Sequence, residues 1–219
     1  MCGKFVFGLD PANTTDFFGI CCHDLSKGIP KLVYLGKMQN QSYELTLQQF
    51  KDDLFKKYPP FFICSDYSNE RTFSDILEKL YGSHKIEKLA YTIPVKQMLK
   101  DDGLAILKQG YTFPNPDNQD PIQKALLLEL ITQLQNEQML ITKSGKKTYD
   151  HPPGKHNDLA AAWELSIHGC QRFLLKTSKV QVSTRKWGPE INAAIESGVR
   201  NPSYVTNTET YYPTNTSYH

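Results

Sequence analysis

Apolar runs that close on a carboxylate alternate along this chain with amphipathic stretches of helical period. Phe5, Val6, Phe7 and Leu9 form the first run, rich in aromatic and β-branched residues and ending at Asp10. Pro11-Ala12-Asn13-Thr14 predicts a turn, and Phe17 to Cys22 reads as a second strand paired with the first as a hairpin. Leu32 to Met38 follows the Lys27-Gly28-Ile29-Pro30 turn and completes a three-strand meander. The period then changes: from Thr46 to about Tyr58, Leu47, Phe50, Leu54 and Phe55 share one helical face and Lys51, Asp53, Lys56 and Lys57 the other. Pro59-Pro60 stops that helix. Phe61-Phe-Ile-Cys-Ser-Asp66 is again nearly continuous in apolar residues and again ends in a carboxylate, the pattern of a strand buried on both faces.

The second half predicts a helix from about Glu70 to Tyr81, a short strand over Lys85 to Thr92, and a helix over Val95 to Gln109 interrupted at Asp101-Asp102-Gly103, whose carboxylates read as solvated surface. Tyr111 to Pro114 is extended, and Asn115 to Asp120 is a polar loop. Pro121 opens a helix to about Gln138, with Ala125, Leu128, Leu130, Ile131 and Leu134 as its core face and Glu129 among them as a structural partner for a lysine. Met139 to Tyr149 has a hairpin pattern with Ser144-Gly145 at the tip. Asn157 caps a final helix in which Leu159, Trp163, Ile167, Cys170 and Leu174 form one stripe and Asp158 lies in the first turn. Val180 to Val199 reads as an appended element with a short helix near Pro189 to Ser197. From Arg200 on, Asn, Thr, Tyr, Pro and Ser leave little to bury, the composition of a flexible tail. The expected organisation is thus a domain over 1–176, an appended element over 177–199 and a tail over 200–219.

A strand reached through a crossover helix after a meander lies parallel to an earlier strand, and a right-handed connection can place it beside the first. Asp10 and Asp66 would then meet at one sheet edge, a costly approach for two like charges unless cations sit between them. Each carboxylate also has a local reading: Asp10 as a turn stabiliser, Asp66 or Ser65 as a helix cap, Asp158 as a charge on the helix dipole.

Composition narrows the classes. The 219 residues, 39% hydrophobic and 22% charged, suit one globular domain burying roughly 70% of its unfolded surface. A formal charge of +2 is too small for a general polyanion binder, so any nucleic-acid contact must come from local basic clusters. The five cysteines contain no CxxC pair. Cys21-Cys22-His23 does not read as a metal site, because adjacent strand residues point to opposite faces. The odd cysteine count, with neither a signal peptide nor a membrane-length apolar run, points to a reducing cytoplasm. Ser144-Gly145-Lys146-Lys147-Thr148 lacks the glycine spacing of a phosphate loop, and no ATP site is visible.

Over most of Phe5 to Leu175 the sequence resembles the nuclease domain of the large terminase subunit of tailed bacteriophages, a branch of the RNase H-like superfamily. The resemblance is carried by Gly-Leu-Asp-Pro with Asp-Phe-Phe-Gly following, Cys-Ser-Asp-Tyr-Ser-Asn-Glu at 64–70, Gly-Tyr-Thr-Phe-Pro before a helix holding Leu-Glu-Leu, and Pro-Gly-Lys-His-Asn-Asp-Leu at 153–159. It implies an α/β RNase H-like fold: a central mixed five-stranded sheet, built from an antiparallel meander plus parallel strands, flanked by helices and carrying an added β-hairpin near the active site.

The implied activity is that of a metal-dependent endodeoxyribonuclease cutting concatemeric viral DNA during packaging, by two-metal phosphodiester hydrolysis with little sequence specificity. Asp10, Asp66 and Asp158 match the family's metal-binding carboxylates, with Asp10 as the bridging ligand, and Asp16 matches a further acidic position. Asn157 stands where many relatives carry an acidic residue, and the neighbouring His156 reads as a ligand, a phosphate contact or a loop residue. Oxygen-only ligands select two Mg2+ or Mn2+ ions. Lys143, Lys146, Lys147 and Lys155 are expected to hold the backbone of double-stranded DNA without reading bases. The resemblance further implies the terminase ATPase motor, the small terminase subunit and the portal as partners, no membrane, and the cytoplasm of the infected host cell as the location. The motor normally precedes the nuclease domain, so the chain reads as an excised C-terminal domain. A Holliday-junction-type resolvase of the same superfamily and a non-cleaving DNA or portal docking module are the alternatives. RNase H itself fits less well, because the glutamate expected on the first helix is lacking.

Overall fold

Two strands running in the same direction, β1 (Phe5–Asp10) and β4 (Pro60–Asp66), sit beside each other inside the sheet of the computed structural model, which describes residues 3–12, 17–39, 42–68, 71–141, 147–150 and 157–184. β1 also pairs antiparallel with β2 (Phe18–Asp24), and β2 with β3 (Lys31–Met38). β5 (Ile86–Leu89) lies parallel on the far side of β4, so the order is β3-β2-β1-β4-β5. The meander and the parallel placement of β4 beside β1 match the sequence expectation. The crossover runs through α1 (Tyr43–Gln49), a π-helical turn (Phe50–Leu54) and α2 (Phe55–Lys57). Its start lies three residues before the expected Thr46, because the Ser42 side chain accepts the Leu45 N–H and caps the helix.

The two faces of the sheet bury different material. On one, Phe7, Leu9, Phe18, Ile20 and Ile63 meet Phe50, Leu54 and Phe55 of the crossover and Phe73 and Leu77 of α3 (Arg71–Tyr81). Edge-on ring pairs such as Phe7–Phe55 and Phe18–Phe73, with centroids 5.0 and 4.9 Å apart, fill this layer. On the other face lies α6 (Asp158–Thr184), covered in turn by α4 (Ile93–Lys108) and α5 (Pro121–Asn136). Every residue of α6 from Asp158 to Ile167 is buried, so the single stripe expected from its sequence is only part of its contact surface. Small residues permit this. A Cβ on Gly8 would stand 1.9 Å from the Ala162 carbonyl oxygen, so β1 and α6 touch backbone to backbone.

A closed ring of hydrogen bonds joins α6 to β2. Trp163 Nε1–H donates to Tyr111 Oη (3.2 Å), which lies 2.9 Å from His23 Nε2; His23 Nδ1 lies 2.8 Å from Ser166 Oγ, and Ser166 Oγ–H donates to the Trp163 carbonyl at 2.9 Å. Because Ser166 spends its proton on that carbonyl, it accepts from Nδ1–H, and Nε2 accepts from Tyr111. Burial pushes the His23 pKa down to about 3, so the ring is neutral and its tautomer is dictated by its partners. His23 is thus a satisfied core histidine, as the reading against a Cys21-Cys22-His23 metal site requires.

Several expectations are corrected. α4 is continuous through Asp101-Asp102-Gly103; Gly103 is there because Trp163 packs against it, with a Cβ predicted 3.0 Å from Cζ3. Asp102 is not solvated surface but lies 2.6 Å from His168 Nδ1, whose Nε2 stands 3.5 Å from Glu87, itself paired with Arg172 at 2.5 Å. On α5 the buried positions are Leu127, Leu130 and Gln133, while Ala125 and Leu128 face out; the core stripe is rotated by about one residue. β5 spans only four residues. The β6 (Gln138–Ile141) and β7 (Lys147–Asp150) strands form the expected hairpin, while its tip at Ser144-Gly145 lies outside the described residues.

Residues 1–176 form one compact unit and 177–219 another, of which only 177–184 at the end of α6 are described. The expected short helix near 189–197 and the tail from 200 lie outside the described residues.

Burial disfavours a charged His168, but the hydrogen bonds and charges of Asp102 and Glu87 outweigh it and raise the pKa from 6.5 to about 9. A raised folded-state pKa contributes stability that is complete below 6.5 and is lost as pH rises through about 9. Thermal melts between pH 6 and pH 10 are expected to show this loss, and His168→Gln to remove most of that pH dependence.

Candidate functional site

Alternation along the strands decides which side chains reach α6. Val6, Gly8 and Asp10 of β1 share one face, as do Phe62, Cys64 and Asp66 of β4. Leu9 is in register with Ser65, so one residue further on Asp10 and Asp66 stand side by side at the ends of adjacent parallel strands, whose axes are about 4.8 Å apart. Across the other neighbour, Asp10 pairs with Gly19 and Gly19 with Lys37. A Cβ on Gly19 would meet the Asp158 carbonyl oxygen at 2.2 Å and the Asp158 Cβ at 3.3 Å. The first turn of α6 therefore rests on the residue paired with Asp10. Two strand ends and one helix start deliver Asp10, Asp66 and Asp158 to the same corner of the α6-facing side.

The surroundings of each carboxylate differ. Asp66 is 6% exposed, and its Oδ1 accepts both the Ser68 N–H (2.9 Å) and the Ser68 hydroxyl (2.7 Å). Ser68 Oγ in turn accepts the Tyr91 N–H at 2.6 Å. Burial raises the Asp66 pKa, opposed by the Ser68 and Tyr67 hydrogen bonds and by the Lys96 charge. One Asp66 oxygen thus closes a local turn onto Ser68, whereas the cap reading concerns the start of α3, which borders residues 69–70 outside the described residues. Asp158 is 4% exposed, and its Oδ2 lies 3.9 Å from Lys37 Nζ. Lys37 is paired more closely with Glu129 and sits over the Phe17 ring, 3.9 Å from its centroid.

Tyr91 links these groups to a second charge cluster. Its hydroxyl donates to the Ala161 carbonyl at 3.2 Å, and its pKa is pushed well up by burial and by the charges of Asp10, Glu164, Asp66 and Glu137. Glu164 and Glu137 both pair with Lys100, whose ammonium lies 5.9 Å from the Tyr149 ring of β7. Burial raises the Glu164 pKa to about 7 against the pull of Lys100. The root of the β6–β7 hairpin is therefore beside the cluster that shares Tyr91 with Asp10 and Asp66.

Not every expected residue can be placed. Asp16, Lys143, Lys146, Lys155 and His156 lie outside the described residues, and Lys147 is described only as part of the β7 backbone. Asn157 directly precedes α6, and its carbonyl accepts the Ala161 N–H at 2.8 Å. Lys37, Ser68 and Tyr91 were not singled out from the sequence. Lys37 carried a signal, a lone cation in an otherwise uncharged strand interior, whereas Ser68 and Tyr91 carried none that distinguishes them from loop residues.

Among the described residues no group of three His, Cys, Asp or Glu side chains is arranged to hold a metal ion. The donor chemistry nevertheless fits a hard divalent cation: the three residues offer only carboxylate oxygens, and the raised pKa of Asp66 marks a buried charge that a cation would stabilise. Ser68 bonds Asp66, and Lys37 stands 3.9 Å from Asp158.

No protein-family model and no curated protein matches the sequence. Solved structures do match. The large terminase nuclease from thermophilic phage G20c is 18% identical, with a TM-score of 0.60 over 76% of this chain and 82% of that one. The same nuclease has been solved with bound magnesium, at the same identity and TM-score. The large terminase nuclease domain of Thermus phage P74-26 is 20% identical, with a TM-score of 0.55 over 75% and 78% of the two chains. These likenesses establish the fold: a mixed five-stranded sheet flanked by helices, as in the terminase nucleases.

Gly19→Ala is expected to lift the first turn of α6 from the sheet, because its methyl would meet Asp158 backbone rather than a movable side chain. Overpacking of this kind costs about 1–3 kcal/mol. A thermal melt unchanged from wild type would contradict the close backbone contact.

Proposed function

We propose that the chain is a divalent-metal-dependent endodeoxyribonuclease that cuts concatemeric viral DNA into packaged lengths with little sequence specificity. The observation that carries this reading is the side-by-side placement of Asp10 and Asp66 on parallel strand ends, with Asp158 lying over the Asp10 partner Gly19. A fold shared with terminase nucleases, one of them solved with magnesium, supports it.

In this reading Asp10, Asp66 and Asp158 would hold Mg2+ or Mn2+, with Asp10 as the shared carboxylate and Asp66 and Asp158 each favouring one ion. Bound divalent cations supply an activated water and charge stabilisation at the leaving oxygen. The chain's own contribution is position. β1 and β4 hold their carboxylates on fixed backbone, and α6 sets Asp158 through the Gly19 contact. The high pKa of Tyr91 keeps it a neutral hydroxyl beside them. Asp16 would add a further carboxylate. Lys143, Lys146, Lys147 and Lys155 would hold DNA phosphates without reading bases, with His156 and Asn157 as auxiliaries. Residues 1–176 would be the nuclease, 177–199 an appended element and 200–219 a tail. Its partners would be double-stranded DNA, the terminase motor, the small subunit and the portal, in the cytoplasm of the infected host cell. No helix among the described residues is long and apolar enough to cross a membrane.

Nicking and linearisation of supercoiled plasmid in Mg2+, Mn2+ and EDTA, with Asp66→Asn alongside, test the reading. Metal-dependent cutting that the variant loses by at least about a hundredfold is expected. A folded chain that neither binds Mn2+ nor cuts would leave the aspartates as caps and turns, and a docking module as the function. Preference for four-way junctions over linear duplex would favour a resolvase.

Charge reversal at Lys146 and Lys147 is expected to weaken DNA binding and to flatten the salt dependence of that binding. Binding unchanged in a gel-shift assay would remove those lysines from the DNA contact.

A further inference from the structure

Lys37 is the cation nearest to Asp158 among the ion pairs described, yet its principal partner is another residue. Its ammonium, on a side chain 15% exposed, pairs tightly with Glu129 and stands 3.9 Å from Asp158 Oδ2, at the outer limit of an ion pair. Two further contacts hold it there. The Phe17 ring lies under Nζ, a cation–π placement that favours one position of the ammonium. Glu129 Oε1 also accepts from Gln133 Nε2 at 3.1 Å, and Gln133 Oε1 accepts the Ala160 N–H at 3.0 Å. Glu129 is therefore oriented from the backbone of α6 itself, two residues beyond Asp158.

An ammonium free to close fully on Asp158 would compete with any cation for its oxygens. One drawn aside competes less for them. We propose that Glu129 parks the Lys37 ammonium, so that the Lys37–Glu129 pair sets the affinity of Asp158 for a divalent cation; this rests on the reading of Asp158 as a metal ligand. Lys37 and Glu129 act through Asp158 and are positioning residues. The pair has a defined sign. Loss of Glu129 releases Lys37 onto Asp158 and weakens metal binding, whereas loss of Lys37 removes the competitor. Glu129 then has no Lys37 to restrain, so its effect depends on Lys37 being present.

Mn2+ titration of the full chain by calorimetry, with wild type, Glu129→Gln, Lys37→Met, the double variant and Asp158→Asn, tests this. Glu129→Gln is expected to bind Mn2+ about tenfold more weakly, the range for residues that orient a metal ligand. Lys37→Met is expected to bind at least as tightly as wild type, and the double variant like Lys37→Met. Melts in EDTA give a metal-free measure of the pair: adding Glu129→Gln to Lys37→Met should not lower the midpoint further. Glu129→Gln within twofold of wild type, equal weakening in the Lys37→Met background, or weaker binding by Lys37→Met would each overturn the proposal. If wild type binds Mn2+ and Asp158→Asn does not, such a result removes the parking role and leaves the metal reading standing. If wild type binds no Mn2+ while the EDTA melts still show the coupled pair, the metal reading has failed and the parking role falls with it.

Discussion

Backbone contact between α6 and the sheet is the constraint on which the rest depends. At Gly8 and Gly19 no Cβ separates β1 and β2 from the helix, so α6 sits closer than side-chain packing would allow. This closeness buries α6 on every side from Asp158 to Ile167 and favours small or hydrogen-bonded residues where the helix touches the strands. Ala160, Ala161 and Ala162 meet that demand by size, and Ser166 meets it through the His23 ring. It also delivers Asp158 to the sheet surface rather than to solvent. A larger residue at either glycine would open the core and move the helix start together, so packing and site geometry are one property of this fold.

Bringing three carboxylates, two of them buried, to one corner raises an electrostatic problem that the surrounding residues answer piecemeal. Ser68 bonds Asp66, Lys37 stands off Asp158, and Tyr91, a neutral hydroxyl whose pKa is raised further by burial and by the neighbouring charges, lies towards Glu164. A second cluster, Lys100 with Glu137 and Glu164, lies next door and ties the hairpin root to α6. Charge balance here is shared between elements far apart in sequence, which is why removing a single partner is expected to be felt at another.

The meander, the crossover and the parallel return of β4 were legible in the chain because apolar runs of strand length end in turn-forming or charged residues. The Pro121 start of α5 was legible for a similar reason: Asp120 accepts the Ile122 and Gln123 N–H groups, and proline needs no donor there. The errors have physical causes too. Gly103 within Asp101-Asp102-Gly103 suggests an interruption, since glycine lowers helix propensity, but packing against Trp163 overrides that preference. Asp102 was read as surface because its partners, His168 and through it Glu87, lie on other elements. On α5, apolar residues at 125–128 and 130–131 left the phase of the stripe ambiguous, and only the position of α6 settled which of them are covered.

The sequence by itself determined the elements, their order, and the appearance of Asp10, Asp66 and Asp158 at strand ends and a helix start, because strand and helix periods and turn chemistry are local. Tertiary structure alone decided that Asp10 and Asp66 share a face, that Gly19 makes room for Asp158, and that Lys37 divides its charge between Glu129 and Asp158. Those outcomes depend on register and on helix-to-sheet distance, which no local pattern encodes. A one-residue slip in β4 would turn Asp66 to the opposite face of the sheet and leave the same sequence motifs without a common site.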